Sequence, residues 1–386
     1  MEQRAARAVL LALTTAVAVG AGTLTAPAAP AHAAARGHDA TRAALRAVVE
    51  RGGLPGVAAT VHDSRGSWFG TVGSADTGTG RKWSAGDHFR AASNTKMFLA
   101  TVLLQLEAEG RLSLTDTVEK WLPGVVRGNG NDGRRITLRQ LLNHTSGLFD
   151  FSNDAEFGRN SSGKGFPEHR YDTHRPQDLV AVAMQHPPVS EPGKAPSYAN
   201  TNYVLAGMVI GEVTGHSYAE EATRRIIRPL KLHRTSFPGT DPQLPAPHPV
   251  AYSRLHDTAP DAPVHDATEQ NMTWLGAAGD LISTGGDLNR FQRALVTGAL
   301  LPAAQMKEMF DDGVPAGEGY TFGLGIDSVT LSCGVTVWGH TGRTNGSVSA
   351  VAGTRDGKHQ LTFDINGDWL VDGELYGKVI EAEFCG

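Results

Sequence analysis

The chain has 386 residues, 40% of them hydrophobic and 19% charged, with a formal net charge of −5. Such a composition fits a globular protein with a substantial core, and the length exceeds the roughly 250–300 residues at which one core usually stops growing, so two lobes are expected. The mildly acidic balance, with no dense Lys/Arg block, leaves no basis for a nucleic-acid partner or a membrane-surface patch.

Residues 1–33 read as a signal peptide. Arg4 and Arg7 form a short positive region, Val9 to Gly20 an apolar stretch, and Ala31-His32-Ala33 a small-x-small cleavage pattern. A retained anchor needs about 20 apolar residues and no adjacent cleavage signal. The expected product is therefore secreted, with no membrane anchor. The two cysteines, Cys333 and Cys385, read as one disulfide in an oxidising compartment, two free buried thiols being the alternative.

Thr41 to Arg51 reads as a helix closed by Gly52-Gly53, and Pro55 to His62 with Ser67 to Val72 as a strand pair. A strongly apolar helix runs from Ser93 to Gly110, the glycine standing where a C′ residue belongs. From there to Trp274 the chain reads as helices, clearest at 137–142 and 201–213, and long polar loops at 152–175 and 238–266. Asp287 to Val296 is a further helix. Short strands follow at 320–326, 334–338, 347–352 and 360–365, and a last amphipathic helix spans Asp368 to Phe384 with Leu370, Val371, Leu375, Val379 and Ile380 on its apolar side. Short turns between the strands imply an antiparallel sheet. The expected fold is α+β: residues 34–92 and 275–386 share an antiparallel sheet flanked by helices, and 93–274 form an inserted, mainly helical lobe.

Chemistry concentrates at the start of the apolar helix. Ser93 and Lys96 are spaced i, i+3, on one face of the first turn, where free N–H groups favour an oxyanion. A buried Lys96 loses solvation and its pKa falls. Ser-x-x-Lys occurs again at Ser161/Lys164, within the glycine-rich SSGKG, and is read there as accidental. Neither G-x-S-x-G nor H-E-x-x-H occurs, which counts against an α/β-hydrolase elbow and a zinc peptidase. Loop histidines are irregularly spaced, so neither a metal nor a cofactor is expected. Tyr198-Ala199-Asn200 precede a helix. Tyr198 near Lys96 is a candidate phenolate base and Asn200 a candidate for holding a substrate amide, the bland alternative being a turn tyrosine and a capping asparagine. His340-Thr341-Gly342 follow an apolar strand, and Gly342 permits close backbone approach.

Taken in order, Ser93-x-x-Lys96, Tyr198-x-Asn200 and His340-Thr341-Gly342 resemble the penicillin-recognising serine enzymes, and the resemblance extends over nearly the whole chain after residue 33. LSCG at Leu331 to Gly334 and the terminal FCG make the chain most similar to secreted serine D-Ala-D-Ala carboxypeptidases. The resemblance implies a site between a sheet-bearing and a helical lobe, with Ser93 as nucleophile, Tyr198 as proton shuttle and Lys96 as its support. It implies that Asn200, His340 and Thr341 line the substrate, that Trp274 walls the cleft, and that the N–H groups of Ser93 and Arg343 bind the oxyanion. Peptidoglycan stem peptides and β-lactams are the implied ligands, and a monomer is expected. One departure stands out: the expected carboxylate-binding arginine is absent from IDSVTLSCG, which carries Asp327 instead, and Arg343 follows the third motif. Either Arg343 takes over the role, or the substrate has no carboxylate there. An esterase, a β-lactamase or a D-amino-acid amino- or amidohydrolase on the same scaffold is the alternative, and an inactive binding module a third.

Overall fold

Both ends of the chain contribute to one sheet. The computed structural model describes residues 37–259, 261–369 and 374–386, so the expected signal peptide and the helix positions Leu370 and Val371 lie outside the described residues. The sheet strands are β1 (Gly56–Asp63), β2 (Gly66–Gly73), β3 (Val314–Gly317), β4 (Tyr320–Phe322), β5 (Asp327–Thr330), β6 (Thr336–Thr344), β7 (Ser347–Thr354) and β8 (Gln360–Ile365). They lie in the order β2-β1-β8-β7-β6-β5-β4-β3, and every neighbouring pair is antiparallel. Val57 stands opposite Ile365 and His62 opposite Gln360, joining the early hairpin to the late strands.

Five helices position the rest: α1 (Asp39–Glu50), α2 (Thr95–Ala108), α3 (Asn200–Thr214), α4 (Gly285–Val296) and α5 (Glu374–Cys385). Val57, Ala59 and Val61 alternate inward on β1 and pack with Leu45 and Val48 of α1 and Leu375 and Val379 of α5. On the opposite face Leu288, Phe291 and Leu295 of α4 join a core that continues into α2 and α3. Phe98 of α2 stacks on Phe291 with ring centroids 3.8 Å apart. One apolar core runs across the expected boundaries near residues 92 and 275.

The α2 segment is buried almost all round, as its unbroken apolar run requires, and each large side chain so placed contributes roughly 1.5–3 kcal/mol. Gly110 takes φ +70°, and the Arg111 amide bonds the Leu106 carbonyl, a Schellman end. Elsewhere the structure corrects the expectation. The stretch 152–175 is not merely loop: Asp154 accepts from the amides of Glu156 and Phe157 and caps a helix over Ala155–Ser161. The expected strand at 320–326 stops at Phe322, and β5 begins at Asp327. The motif strand extends six residues beyond Trp338, so His340-Thr341-Gly342 lie within β6, paired with Val351, Ala350 and Ser349 of β7. In the last segment the described helix begins at Glu374.

Candidate active site

Ser93 lies in a single 3-10 turn, Ala92–Asn94, that leads into α2. Ala92 before it has φ +47°, a left-handed conformation that L residues adopt only under constraint. The constraint is visible. Thr95 Oγ1 donates to the Ala92 carbonyl at 2.7 Å and accepts from the Leu281 amide at 3.1 Å, while Asn94 Nδ2 donates to the Ala91 carbonyl at 2.7 Å and to Ser349 Oγ at 3.0 Å. The turn is fastened on three sides, and Ser93 alone among its residues keeps partial access to solvent.

Lys96 is completely buried one turn on. Its Nζ stands 3.0 Å from Ser93 Oγ, 2.8 Å from Asn200 Oδ1 and 2.7 Å from the Ala278 carbonyl. The last two oxygens only accept, so they take the two N–H groups of a neutral amine and leave its lone pair facing the Ser93 hydroxyl. Burial lowers the Lys96 pKa to about 7 against the opposing pull of Asp150 and Asp327, so that neutral form is accessible near neutrality. Tyr198 OH donates to Ser93 Oγ at 2.9 Å. Here the structure corrects the expected phenolate: burial pushes the Tyr198 phenol well above its ordinary value, and Asp327 and Asp150 push the same way. Tyr198 is thus a neutral donor, and Lys96 is the group able to take a proton.

Asn200 also departs from its expected part. Its Nδ2 donates to Asp150 Oδ2 at 3.1 Å and to Ser152 Oγ at 3.2 Å, so both ends of the amide are held by the protein. It positions Lys96. His144 is a residue the sequence reading passed over. It stacks on Tyr198 with centroids 4.3 Å apart, and its Nδ1 accepts from the Ala199 amide at 3.2 Å. Burial drives its pKa well below 6.5, so it is a neutral prop for the phenol ring. Asp150, Ser152 and Ala278 were likewise missed, since nothing local distinguishes a carbonyl or a carboxylate that acts only across the fold.

The opposite wall is β6. A Cβ on Gly342 would lie 2.1 Å from the Ala91 carbonyl oxygen and 2.9 Å from Asn94 Nδ2, so only glycine lets the strand meet the nucleophile turn. Pairing with β5 ends at Asp327 opposite Gly339, whereas pairing with β7 runs on to Thr344 opposite Ser347. His340 to Thr344 thus present an edge without a neighbouring strand among the described residues. His340 is buried, its pKa lowered to about 3 chiefly by burial, and its Nδ1 bonds the Thr341 carbonyl. Its Nε2 lies 3.9 Å from Asp327 Oδ2, which also accepts the Tyr320 hydroxyl. Burial raises Asp327 to about 7. Thr341 and Arg343 are exposed. The Arg343 guanidinium donates to the Asp368 carbonyl at 2.6 Å, so that hydrogen bond holds it to the segment after β8.

Trp274 is buried and lines a cavity of about 320 Å³ with Phe157, His174 and Asn271; Ser93, Lys96 and Tyr198 are not among its lining residues. The second Ser-x-x-Lys does not assemble: Ser161 Oγ bonds the Phe157 carbonyl, and Lys164 pairs with Asp257 at 3.2 Å. Cys333 and Cys385 are bonded, with Cα atoms 5.7 Å apart, and tie the β5–β6 turn to the end of α5. Among the described residues His38, Asp63 and Glu383 are grouped closely enough to suggest a metal, but Arg65 pairs with Asp63 and Thr41, His38 and His359 satisfy Glu383.

Comparison with known proteins places this geometry. The Beta-lactamase family matches the chain over residues 41–367. The chain belongs to that family. It is a serine hydrolase of the β-lactamase/penicillin-binding superfamily. A D-stereospecific amidohydrolase from Streptomyces sp. has 50% identity with it and a TM-score of 0.85, over 91% of this chain and 99% of that one. The D-amino acid amidase of Ochrobactrum anthropi SV3, complexed with L-phenylalanine amide, has 28% identity and a TM-score of 0.76 over 89% of this chain and 97% of that one. The putative penicillin-binding protein PbpX of Bacillus subtilis is 27% identical over 62% of this chain, and protein flp of Staphylococcus aureus (strain MW2) 33% over 40%. Those matches span 53% and 28% of the two relatives' own lengths.

Proposed function

We propose that the protein is a D-stereospecific amidohydrolase that works through an acyl-enzyme on Ser93. The observation that carries this reading is the 50% identity to the Streptomyces amidohydrolase over 99% of that chain, on a site where nucleophile, amine and phenol are in contact. Neutral Lys96 takes the Ser93 proton as Oγ bonds to the substrate carbonyl carbon. The amide C–N bond then breaks as the Tyr198 hydroxyl gives its proton to the departing amine, and Lys96 passes the proton taken from Ser93 back to the Tyr198 oxygen. Water repeats the sequence in reverse: it loses a proton to the same pair, adds to the ester carbonyl, and releases the D-amino acid with Ser93 reprotonated. The open edge of β6 at His340–Thr344 is where the substrate backbone and the Arg343 amide meet.

The D-Ala-D-Ala carboxypeptidase reading asks for a cation facing the terminal carboxylate, and the Arg343 guanidinium is engaged by the Asp368 carbonyl. Peptidoglycan stem peptides are therefore the second choice of substrate, with β-lactams as slow acylating ligands. The charged, apolar and small-x-small pattern of residues 1–33 supports action outside the cell. The test is parallel assay of ammonia release from D- and L-phenylalaninamide and of D-alanine release from a peptide ending in D-Ala-D-Ala. The D-amide is expected to exceed its enantiomer by about tenfold or more in kcat/KM. Equal use of both enantiomers, or faster release of D-alanine, would overturn the proposal.

A further inference from the structure

The wall of the cleft around Asp327 has an unusual inventory of hydrogen-bonding groups. Asp327 opens β5 and pairs with Gly339, immediately before the stretch of β6 whose edge is free. Its side chain keeps 12% exposure, and its Oδ2 already accepts the Tyr320 hydroxyl. The neighbouring His340 is neutral, and its Nδ1 faces the Thr341 carbonyl, which can only accept. The ring proton therefore lies on Nδ1, and Nε2, 3.9 Å from Asp327, presents a lone pair. The Tyr320 hydroxyl spends its only proton on the hydrogen bond it donates to Asp327. Above neutrality, where Asp327 is ionised, the three side chains thus offer acceptors to the cleft and no donor.

Among the described residues, the two cations nearest this wall are held elsewhere. Lys96 is the charged group that acts on Asp327, and its Nζ is committed to Ser93, Asn200 and Ala278. Arg343 is held to the Asp368 carbonyl. A carboxylate brought to this wall carries only acceptors and meets a carboxyl, a phenol oxygen and an imine nitrogen. A carboxamide brings two N–H donors to the same place.

We propose that Asp327, braced by Tyr320 beside His340, is the specificity determinant for the leaving-group end of the substrate: it takes a terminal carboxamide and rejects a terminal carboxylate. The proposal rests on amide hydrolysis at Ser93 and adds which end group that site accepts. It predicts that the enzyme releases D-alaninamide from D-phenylalanyl-D-alaninamide far more readily than D-alanine from D-phenylalanyl-D-alanine. The two dipeptides differ only in the group that would face Asp327.

The experiment compares kcat/KM for these dipeptides in the wild type, Asp327→Asn and Tyr320→Phe, well above neutral pH, so that any general loss of activity cancels in the ratio. The wild type is expected to favour the carboxamide by about a hundredfold, and Asp327→Asn, which supplies donors and removes the charge, to shrink that ratio by about tenfold or more. Tyr320→Phe keeps the carboxylate and is expected to keep the discrimination. A ratio unchanged by Asp327→Asn, a wild type indifferent to the end group, or equal collapse in both variants would overturn the assignment. D-phenylalaninamide, which has no terminal group to discriminate, separates the two levels: its hydrolysis with any of those outcomes leaves amide hydrolysis standing and removes Asp327 as the selector. Failure to hydrolyse D-phenylalaninamide together with rapid use of the carboxylate dipeptide would remove both.

Discussion

Replacing Gly342 by alanine tests whether β6 and the nucleophile turn act as one rigid unit. The added Cβ would lie 2.1 Å from the Ala91 carbonyl oxygen, 2.8 Å from Ser349 Oγ and 2.9 Å from Asn94 Nδ2. Relaxed contacts between such atoms need roughly 3.5 Å, so the Ala91 carbonyl or the strand must shift by about 1 Å or more. Neither neighbour yields cheaply. Ala91 O is backbone two residues before Ser93 and accepts from Asn94 and Ser349, and Asn94 is itself fixed by those bonds. Overpacking of this kind costs about 1–3 kcal/mol of stability. A 1 Å misplacement of reacting groups costs about a hundredfold in rate. Gly342→Ala is therefore expected to fold, melt at lower temperature and lose about a hundredfold in kcat/KM on D-phenylalaninamide. Steady-state ammonia release and a thermal melt measure both. Activity within a factor of about three of the wild type, with an unchanged melt, would refute the claim that the two elements are locked together.

Lys96 can take the Ser93 proton only when its own is lost, so kcat/KM should rise with pH through about 7. Because Asp327 holds the Lys96 pKa up, Asp327→Asn should move that midpoint to lower pH; a midpoint that stays put contradicts the coupling. Tyr198→Phe removes the hydroxyl that bonds Ser93 and should lower kcat by about 10²–10⁴-fold with a much smaller change in KM, as steady-state kinetics would show. Replacing Cys333 and Cys385 by serine opens a loop spanning 52 positions and should cost up to about 4 kcal/mol in denaturant unfolding while leaving kcat near the wild-type value.

Much of the scaffold is visible in local pattern. The alternation of Val57, Ala59 and Val61, the apolar run of α2 and the glycine at 110 each obey a rule that acts within a few residues. Ser93 and Lys96 could be paired because three residues of helix bring them together whatever surrounds them. Protonation states could not be read the same way. A phenolate at Tyr198 is reasonable beside a lysine, but burial raises the phenol and lowers the amine, and burial is a property of the whole fold. Asn200 was assigned to the substrate because its anchors, Asp150 and Ser152, lie about fifty residues away in the chain. The extent of β6 was missed since Gly339 and Gly342 weaken a strand signal, and pairing with β7 overrides it. The cap at Asp154 had a legible signature, an aspartate followed by a helix-forming run, hidden among glycines and histidines.

The central claim is that Ser93, deprotonated by Lys96, carries the acyl group of a D-amino acid. It is tested most directly by rapid-quench intact-mass spectrometry with D-phenylalanine methyl ester, followed by peptide mapping. One added D-phenylalanyl group on the peptide containing Ser93, absent from Ser93→Ala and formed far more slowly in Lys96→Met, is the predicted result. Undiminished turnover in Ser93→Ala, or an adduct that maps to Ser161, would contradict it.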